Sequence, residues 1–140
     1  MLTGIHPLLT GALLAHLDAM GHSDAVALVD AHFPADRLAR RLLCFPGLAA
    51  PPVLAAVRTV LPVDDAPALD LMVPPDGSRR DVHDALLVAA GVPAEQARFL
   101  GREAFYDVAA ASYLIVRTGE TRTYGNAILR KGVVTEVGSA

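Results

Sequence analysis

Two spacings of apolar residues alternate along the first third of the chain. Between residues 8 and 20, large apolar side chains fall at every third or fourth position, which predicts an amphipathic helix. Thr10 is placed to cap the start of this helix, and Gly21 is placed to end it. The next apolar run, residues 25–29, is short and has no polar position. It therefore predicts a strand that is buried on both faces.

The same alternation continues toward the C-terminus. The pattern predicts further strands at residues 41–45, 68–73, 113–117 and 127–129, and further helices from Pro34 and at residues 53–60, 81–90 and 103–111. Strands that alternate with helices predict an α/β fold: one domain over residues 1–140, with a mainly parallel central sheet flanked by helices. In such sheets, ligands bind beyond the carboxyl ends of the strands. The segment Asp30-Ala31-His32 directly follows a predicted strand, which makes it a candidate site.

Composition narrows the classes of function. The chain has 140 residues, of which 53% are hydrophobic and 19% charged, as expected of a globular domain rather than a disordered one. Its formal net charge of -3 argues against nucleic acid or an anionic membrane as partner, because both reward a basic surface. No apolar run reaches the roughly 18 residues that a membrane span needs. We therefore expect neither partner.

Cys44 is the only cysteine, so the chain forms no internal disulfide and no zinc site with several cysteines. The first residues lack the basic start and apolar core of a signal peptide. Both observations predict a cytoplasmic protein, with Cys44 as a small buried apolar side chain. The excess of Ala, Leu and Val in so short a chain has two interpretations, an alanine-rich core or a surface covered by other subunits.

Polar and aromatic groups suited to a carbohydrate occur in two parts of the chain. His22 and Asp30 lie near the two ends of the first predicted strand. Residues 102–106 and 124–126 combine aromatic rings with guanidinium and amide groups. Rings stack on the apolar face of a sugar, and forked donors bind pairs of hydroxyls. In this interpretation Phe105 belongs to the core and Tyr106 faces the site.

Other classes of site fit the sequence less well. His22, His32 and Asp30 are residue types that bind metals, but their spacing does not require a metal, and we expect none. A sugar-binding module without catalysis would keep the rings and forked donors and dispense with His22. The sequence contains no Gly-x-Ser-x-Gly elbow and no Gly-x-Gly-x-x-Gly phosphate loop. His16 and His83 fall on predicted helices and are expected to be solvated.

Several short motifs follow one another in a fixed order over nearly the whole chain. They are His6-Pro7-Leu8-Leu9, Met20-Gly21-His22 with Asp24, Asp30-Ala31-His32-Phe33-Pro34, Ala104-Phe105-Tyr106, Thr118-Gly119-Glu120, and Tyr124-Gly125-Asn126 through Leu129-Arg130-Lys131-Gly132-Val133. By these motifs the sequence resembles the family of sugar mutarotases and pyranases, which contains the L-fucose mutarotases and the D-ribose pyranases. Residues 63–100 contribute little to the resemblance.

Within that family, Ala104-Phe105-Tyr106 after Arg102 resembles the fucose branch. Glu103 departs from that branch, in which an aromatic residue is expected. The resemblance implies an isomerase that interconverts the α and β anomers of a free monosaccharide, with L-fucose as the preferred sugar and D-ribose pyranase-type activity as the alternative. It implies His22 as the catalytic residue and a substrate-binding set of Asp30, Arg102, Tyr106, Tyr124, Gly125 and Asn126.

The resemblance also implies the assembly and the cofactor requirement. We expect no cofactor, and we expect a closed homo-oligomer, with a decamer as one candidate. In such an assembly residues 124–126 of one copy would reach His22 of a neighbour.

The chemistry of mutarotation fits a histidine. The anomeric hydroxyl loses a proton and the ring oxygen gains one when the hemiacetal opens, and closure reverses both transfers. A group that titrates near neutral pH suits both directions, and histidine has an unperturbed pKa of about 6.5. Asp30 has two possible roles, to orient His22 or to hold sugar hydroxyls, and the sequence does not separate them.

Overall fold

Strands and helices alternate along the chain in the structure, a computed structural model that describes residues 1–65 and 67–137. The strands are β1 (Ala25–Val29), β2 (Leu42–Phe45), β3 (Leu69–Met72), β4 (Ala97–Leu100), β5 (Leu114–Thr118) and β6 (Ala127–Arg130). The helices are α1 (Gly11–Ala19), α2 (Ala35–Leu38), α3 (Ala50–Arg58), α4 (Asp81–Ala90) and α5 (Arg102–Ala111), and a short 3-10 helix, Ala94–Gln96, precedes β4.

The six strands form one sheet in the order β2-β5-β1-β6-β3-β4. Strand β5 runs parallel to both β1 and β2, and β3 runs parallel to β4. Strand β6 is antiparallel to both of its neighbours, β1 and β3. The predicted α/β fold with a mainly parallel sheet is therefore confirmed. Because β6 runs against the other strands, its first residues lie at the edge where β1 and β3 end.

Helices cover both faces of the sheet. Along β1, Val26 and Leu28 face one side and join a core with α1, α3 and α4, whereas Ala27 and Val29 face the other side and pack toward α2 and α5. Every residue of β1 is buried, which explains why its sequence is an unbroken apolar run. Since both faces of the sheet are covered by apolar cores, polar groups that bind a ligand have to lie at the ends of the strands.

Most predicted elements are present, with shifted ends. Helix α1 is shorter than predicted because it begins after Thr10, whose hydroxyl accepts the N–H of Leu13 at 3.2 Å. Helix α3 begins three residues earlier than predicted, and Pro51 and Pro52 lie in its first turn, where no N–H is needed. Strand β4 and the 3-10 helix before it were not predicted.

Two predictions about single side chains are wrong. His83 was expected to be solvated but is fully buried, because the first turn of α4 packs against the end of β3. Its Nδ1 accepts the N–H of Arg80 at 2.9 Å, and its Nε2 lies 2.7 Å from the carbonyl oxygen of Met72. Cys44 was expected to be buried but is exposed, because β2 is an edge strand.

Candidate functional site

A cavity of about 330 Å³ opens at the edge of the sheet where β1 and β3 end and β6 begins. It is lined by Asp30, His32, Phe33, Met72, Arg102, Tyr106, Thr123, Tyr124 and Asn126. The segments that form it follow β1, β4 and β5, so the cavity lies beyond the carboxyl ends of parallel strands, where the sequence predicted a ligand site.

Asp30 and Asn126 form a reciprocal pair at the base of this cavity. The backbone N–H of Asp30 donates to Oδ1 of Asn126 at 2.7 Å, and Nδ2 of Asn126 donates to Oδ2 of Asp30 at 3.0 Å. The other carboxylate oxygen, Oδ1, accepts the backbone N–H of His32 at 2.9 Å. Asp30 and Asn126 are both buried, so their geometry is fixed before any ligand arrives.

Aromatic rings form one wall of the cavity. Phe33 packs edge-on against Phe105 and Tyr106, with ring centroids 5.9 and 5.1 Å apart. Phe105 is fully buried, as predicted, and Tyr106 is partly exposed to the cavity. Tyr124 has a φ of 65°, a left-handed conformation that a bulky residue adopts only when its surroundings require it.

Glu120 supports this wall from behind. Its carboxylate accepts Nε and Nη2 of Arg122 at 3.1 and 2.9 Å, and its backbone oxygen accepts the N–H of Ala31 at 2.9 Å. The hydrogen bonds from the Arg122 side chain hold the pKa of Glu120 below its usual value, against the opposing effect of burial. Gly125 packs on the same side chain, since a Cβ there would lie 2.7 Å from Cγ of Glu120.

His22 lies elsewhere, at the other end of β1. Its Nε2 is 3.1 Å from Oδ1 of Asp64, and the hydroxyl of Ser23 donates to Oδ2 of the same carboxylate at 2.8 Å. The Ser23 hydroxyl and the His22 ring together lower the pKa of Asp64. Since an ionised carboxylate only accepts hydrogen bonds, Nε2 of His22 is the nitrogen that carries the proton, and Nδ1 is left free when the ring is neutral.

The backbone of this second cluster is also unusual. Ser23 has a φ of 68°, and only Ser23 and Tyr124 among the described non-glycine residues adopt a positive φ. Each belongs to one of the two clusters. Such conformations concentrate at functional sites, because packing elsewhere in the fold has to hold them. The His22 side chain is 58% exposed and the Asp64 side chain 18%, so the imidazole ring lies at the surface and its carboxylate partner is mostly buried.

The structure therefore brings some predicted site residues together and separates another. Asp30, Arg102, Tyr106, Tyr124 and Asn126 all line the cavity, whereas Gly125 lies behind it. His22 is separated from Asp30 by the length of β1, about 17 Å for five residues. Within one chain, the carboxylate that contacts and orients the His22 ring is therefore that of Asp64, and not that of Asp30.

Sequence reasoning missed other residues at these two clusters. They are Phe33, Met72 and Thr123 in the cavity lining, Arg80 over the ring of Tyr124 at 5.4 Å, and Asp64 beside His22. His32 lines the cavity although no catalytic role was assigned to it. The alternative of a metal site, made of His22, His32 and Asp30, does not assemble within one chain. Residues 1–65 and 67–137 contain no cluster of three or more metal-ligating side chains.

A buried carboxylate–amide pair, a guanidinium and an aromatic wall lie together at the strand ends of an α/β sheet, a combination suited to a small polyhydroxyl ligand. The chain belongs to the RbsD / FucU transport protein family, which it matches over residues 3–134. This confirms the family resemblance drawn from the sequence motifs.

Solved structures of relatives share the fold. A fucose mutarotase from Streptococcus pneumoniae, in complex with L-fucose, is 31% identical with a TM-score of 0.87, covering 96% of this chain and 100% of that one. FucU from Bifidobacterium longum is 32% identical with a TM-score of 0.84, covering 94% and 99%. Bacillus subtilis RbsD, complexed with D-ribose, is 26% identical with a TM-score of 0.70, covering 92% and 97%.

Family and fold together support a function of the sugar mutarotase or pyranase type. No helix in the described part of the chain is long and apolar enough to cross a membrane.

Proposed function

We propose that the protein is an isomerase that interconverts the α and β anomers of a free monosaccharide, with L-fucose as its preferred sugar. The observation that carries this proposal is the cavity beside Asp30 and Asn126, in which polar groups face a wall of aromatic rings. Similarity to a fucose mutarotase in complex with L-fucose supports the same sugar class. The exposed Cys44 fits a reducing compartment, and we place the protein in the cytoplasm.

The cavity matches both faces of a pyranose. Asp30 and Arg102 offer an acceptor and a set of donors to ring hydroxyls, and Asn126 holds Asp30 in place. The rings of Phe33 and Tyr106 offer an apolar surface to the C–H face of the sugar or to a C5 methyl group. Each hydroxyl left without its partner would cost about 1–3 kcal/mol, so the polar groups discriminate between epimers.

His22 transfers the protons in this proposal. As the sugar ring opens, Nδ1 of His22 takes the proton of the anomeric hydroxyl, the bond from C1 to the ring oxygen breaks, and the imidazolium passes this proton to the ring oxygen. Rotation about the C1–C2 bond and closure on the other face complete the exchange. Asp64 holds the His22 proton on Nε2, which leaves Nδ1 as the base. Positioned acid–base catalysis of this kind contributes roughly 10²–10⁴-fold.

The site is then shared between two copies of the chain. His22 and the cavity lie at opposite ends of β1, so a single chain does not present both to one sugar. In a closed homo-oligomer, a decamer being one candidate, the exposed His22 of one copy meets the cavity of the next. A direct sugar contact by Gly125 would run through its backbone in such an assembly.

The preference for L-fucose over other sugars is inferred from the aromatic wall of the cavity. Glu103 is exposed and lines a second cavity that adjoins the first at Arg102 and Tyr124. Its carboxylate adds an acceptor beside the cavity, where the fucose branch is expected to carry an aromatic residue. A methyl packing difference is worth only about 1–3 kcal/mol, so the discrimination among sugars is roughly 10–200-fold.

Magnetization-transfer NMR of anomer exchange tests the proposal, with L-fucose, D-galactose and D-ribose compared in EDTA. We expect L-fucose to exchange fastest, and His22→Ala to stay folded and lose most of the catalysed exchange. Faster exchange of D-ribose would favour pyranase-type activity. Sugar binding without exchange would favour a non-catalytic binding module. Activity that is abolished by EDTA and restored by a divalent metal would overturn the proton-transfer mechanism.

A further inference from the structure

Lys131, which directly follows β6, is the only lysine of the chain and has an unusual set of partners. Its Nζ donates to three backbone carbonyls at the end of α1, those of Leu17 at 2.7 Å, Asp18 at 3.3 Å and Met20 at 2.6 Å. An ammonium group has three donors, so this set uses all of them. The ammonium group therefore donates its hydrogen bonds to the end of one helix rather than to solvent.

The end of α1 depends on this lysine. The last four carbonyls of a helix have no partner within it, and many helices satisfy some of them with a left-handed glycine. Gly21, which the sequence offered for that purpose, is not among the residues with positive φ, and the cap residue Met20 is extended. The Lys131 ammonium takes the place of the glycine and also complements the negative end of the helix dipole. His22 follows two residues after the last cap contact.

The backbone around Lys131 contacts Asp64 and the residue that follows His22. The N–H of Ser23 donates to the carbonyl oxygen of Lys131 at 2.8 Å, and the N–H of Asp64 donates to the carbonyl oxygen of Arg130 at 3.0 Å. The segment thus touches the residue after His22 and Asp64 itself. The side chain of Lys131 binds Met20 and its backbone binds Ser23, so the two contacts lie on either side of His22.

We infer that Lys131 is a positioning residue for the His22–Asp64 pair, an inference that rests on the proposed function. Without its ammonium, the carbonyls of Leu17 and Met20 lose their partner and turn toward solvent, so the segment that carries His22 moves relative to Asp64. A misplacement of about 1 Å at a reacting group costs up to about 100-fold in rate. The residues that line the cavity make none of these contacts, so we expect the KM for the sugar to change little.

Lys131→Met tests this inference, with Arg58→Met as the matched control. Arg58 also closes a helix end, since its Nε donates to the carbonyl oxygen of Ala90 at 2.6 Å and Nη1 donates to that of Leu61 at 2.8 Å. We expect Lys131→Met to lower kcat for anomer exchange at least about tenfold with KM within about twofold. Arg58→Met leaves both constants near wild type. Equal losses in the two variants, or unchanged kcat in Lys131→Met, would overturn the inference.

A second measurement keeps the inference separate from the proposed function. The ¹⁵N chemical shifts of the His22 ring at about pH 9, where an imidazole is neutral, report which nitrogen carries the proton. We expect a proton on Nε2 in the wild type and in Arg58→Met, and a mixture of tautomers in Lys131→Met. A wild type without exchange activity would sink the proposed function, whereas an unchanged tautomer in Lys131→Met would sink the positioning role. If the Met variant does not fold, Lys131→Arg, which keeps the charge, and Lys131→Gln, which loses it, replace it in both measurements.

Discussion

Glu120→Gln probes how the cavity wall is held in place. The substitution keeps the length and the Cγ that packs against Gly125, and it removes the charge that binds Arg122. The Glu120 side chain is 4% exposed and that of Arg122 is 45% exposed, so water partly replaces the lost contacts of the arginine only. Hydrogen bonds to charged groups are worth about 1.5–3 kcal/mol each. Because water partly replaces the contacts that Arg122 loses, the net effect is smaller than the sum of these hydrogen bonds. We expect the free energy of unfolding at pH 7 to fall by about 2 kcal/mol.

The pH dependence of this loss gives the prediction its second test. The folded-state pKa of Glu120 is lowered by its hydrogen bonds from Arg122, relative to an ordinary value of 4.5. A group with a lowered pKa stabilises the fold fully above its unfolded pKa and loses that contribution as the pH falls through the folded one. The stability difference between wild type and Glu120→Gln should therefore be constant near neutral pH and shrink below about pH 4.5.

Urea denaturation of both proteins across this pH range measures the difference, with the exposed Glu95→Gln as the control that changes the same charge elsewhere. We also expect the KM of sugar exchange to rise in Glu120→Gln, because the backbone of Glu120 holds Ala31 beside Asp30. A stability difference that stays the same from pH 7 into acid would refute the assignment to the Glu120–Arg122 pair. Equal destabilisation by Glu95→Gln would refute it as well.

The remaining predictions concern the shared site. Asp64→Asn should lower the exchange rate about 10–100-fold with little change in KM, because the amide no longer fixes the His22 proton on Nε2, and an unchanged rate would contradict this role. Chains with His22→Ala and chains with Arg102→Ala, each inactive alone, should regain about a quarter of wild-type activity when refolded together, since one in four shared sites is intact. Light scattering should show an oligomer, and an active monomer would rule out sharing.

The sequence predicted the cavity better than the cluster at the other end of β1. Asp30 was predicted because it directly follows a short apolar strand, where ligand sites collect. Asn126 was predicted from the aromatic and amide groups of residues 124–126 and from the family resemblance. Asp64 has no such signal. It reaches His22 through a β-bridge between Val63 and Lys131, a contact between distant parts of the chain that no local pattern encodes.

The same limit explains the other differences. Strand β4 is an edge strand of four residues in which Arg98 alternates with apolar neighbours, a pattern too short to separate strand from helix. His83 lies at a helix position like any surface residue, and only the placement of α4 against β3 turns it inward. Helical spacing shows which residues share a face, whereas the partner of that face is decided by the tertiary structure.

The antiparallel strand β6 sets how the chain tolerates length changes. Asn126, which directly precedes β6, binds Asp30 at one edge of the sheet. Lys131, which directly follows β6, binds the carbonyls at the end of α1 at the other edge, so only four strand residues separate the two contacts. One inserted or deleted residue would turn the buried side chains of the strand to the wrong face. Two would keep the faces but move one end by about 7 Å, out of reach of its partner. The spacing from residue 126 to 131 is therefore the part of the C-terminal region least open to insertion or deletion.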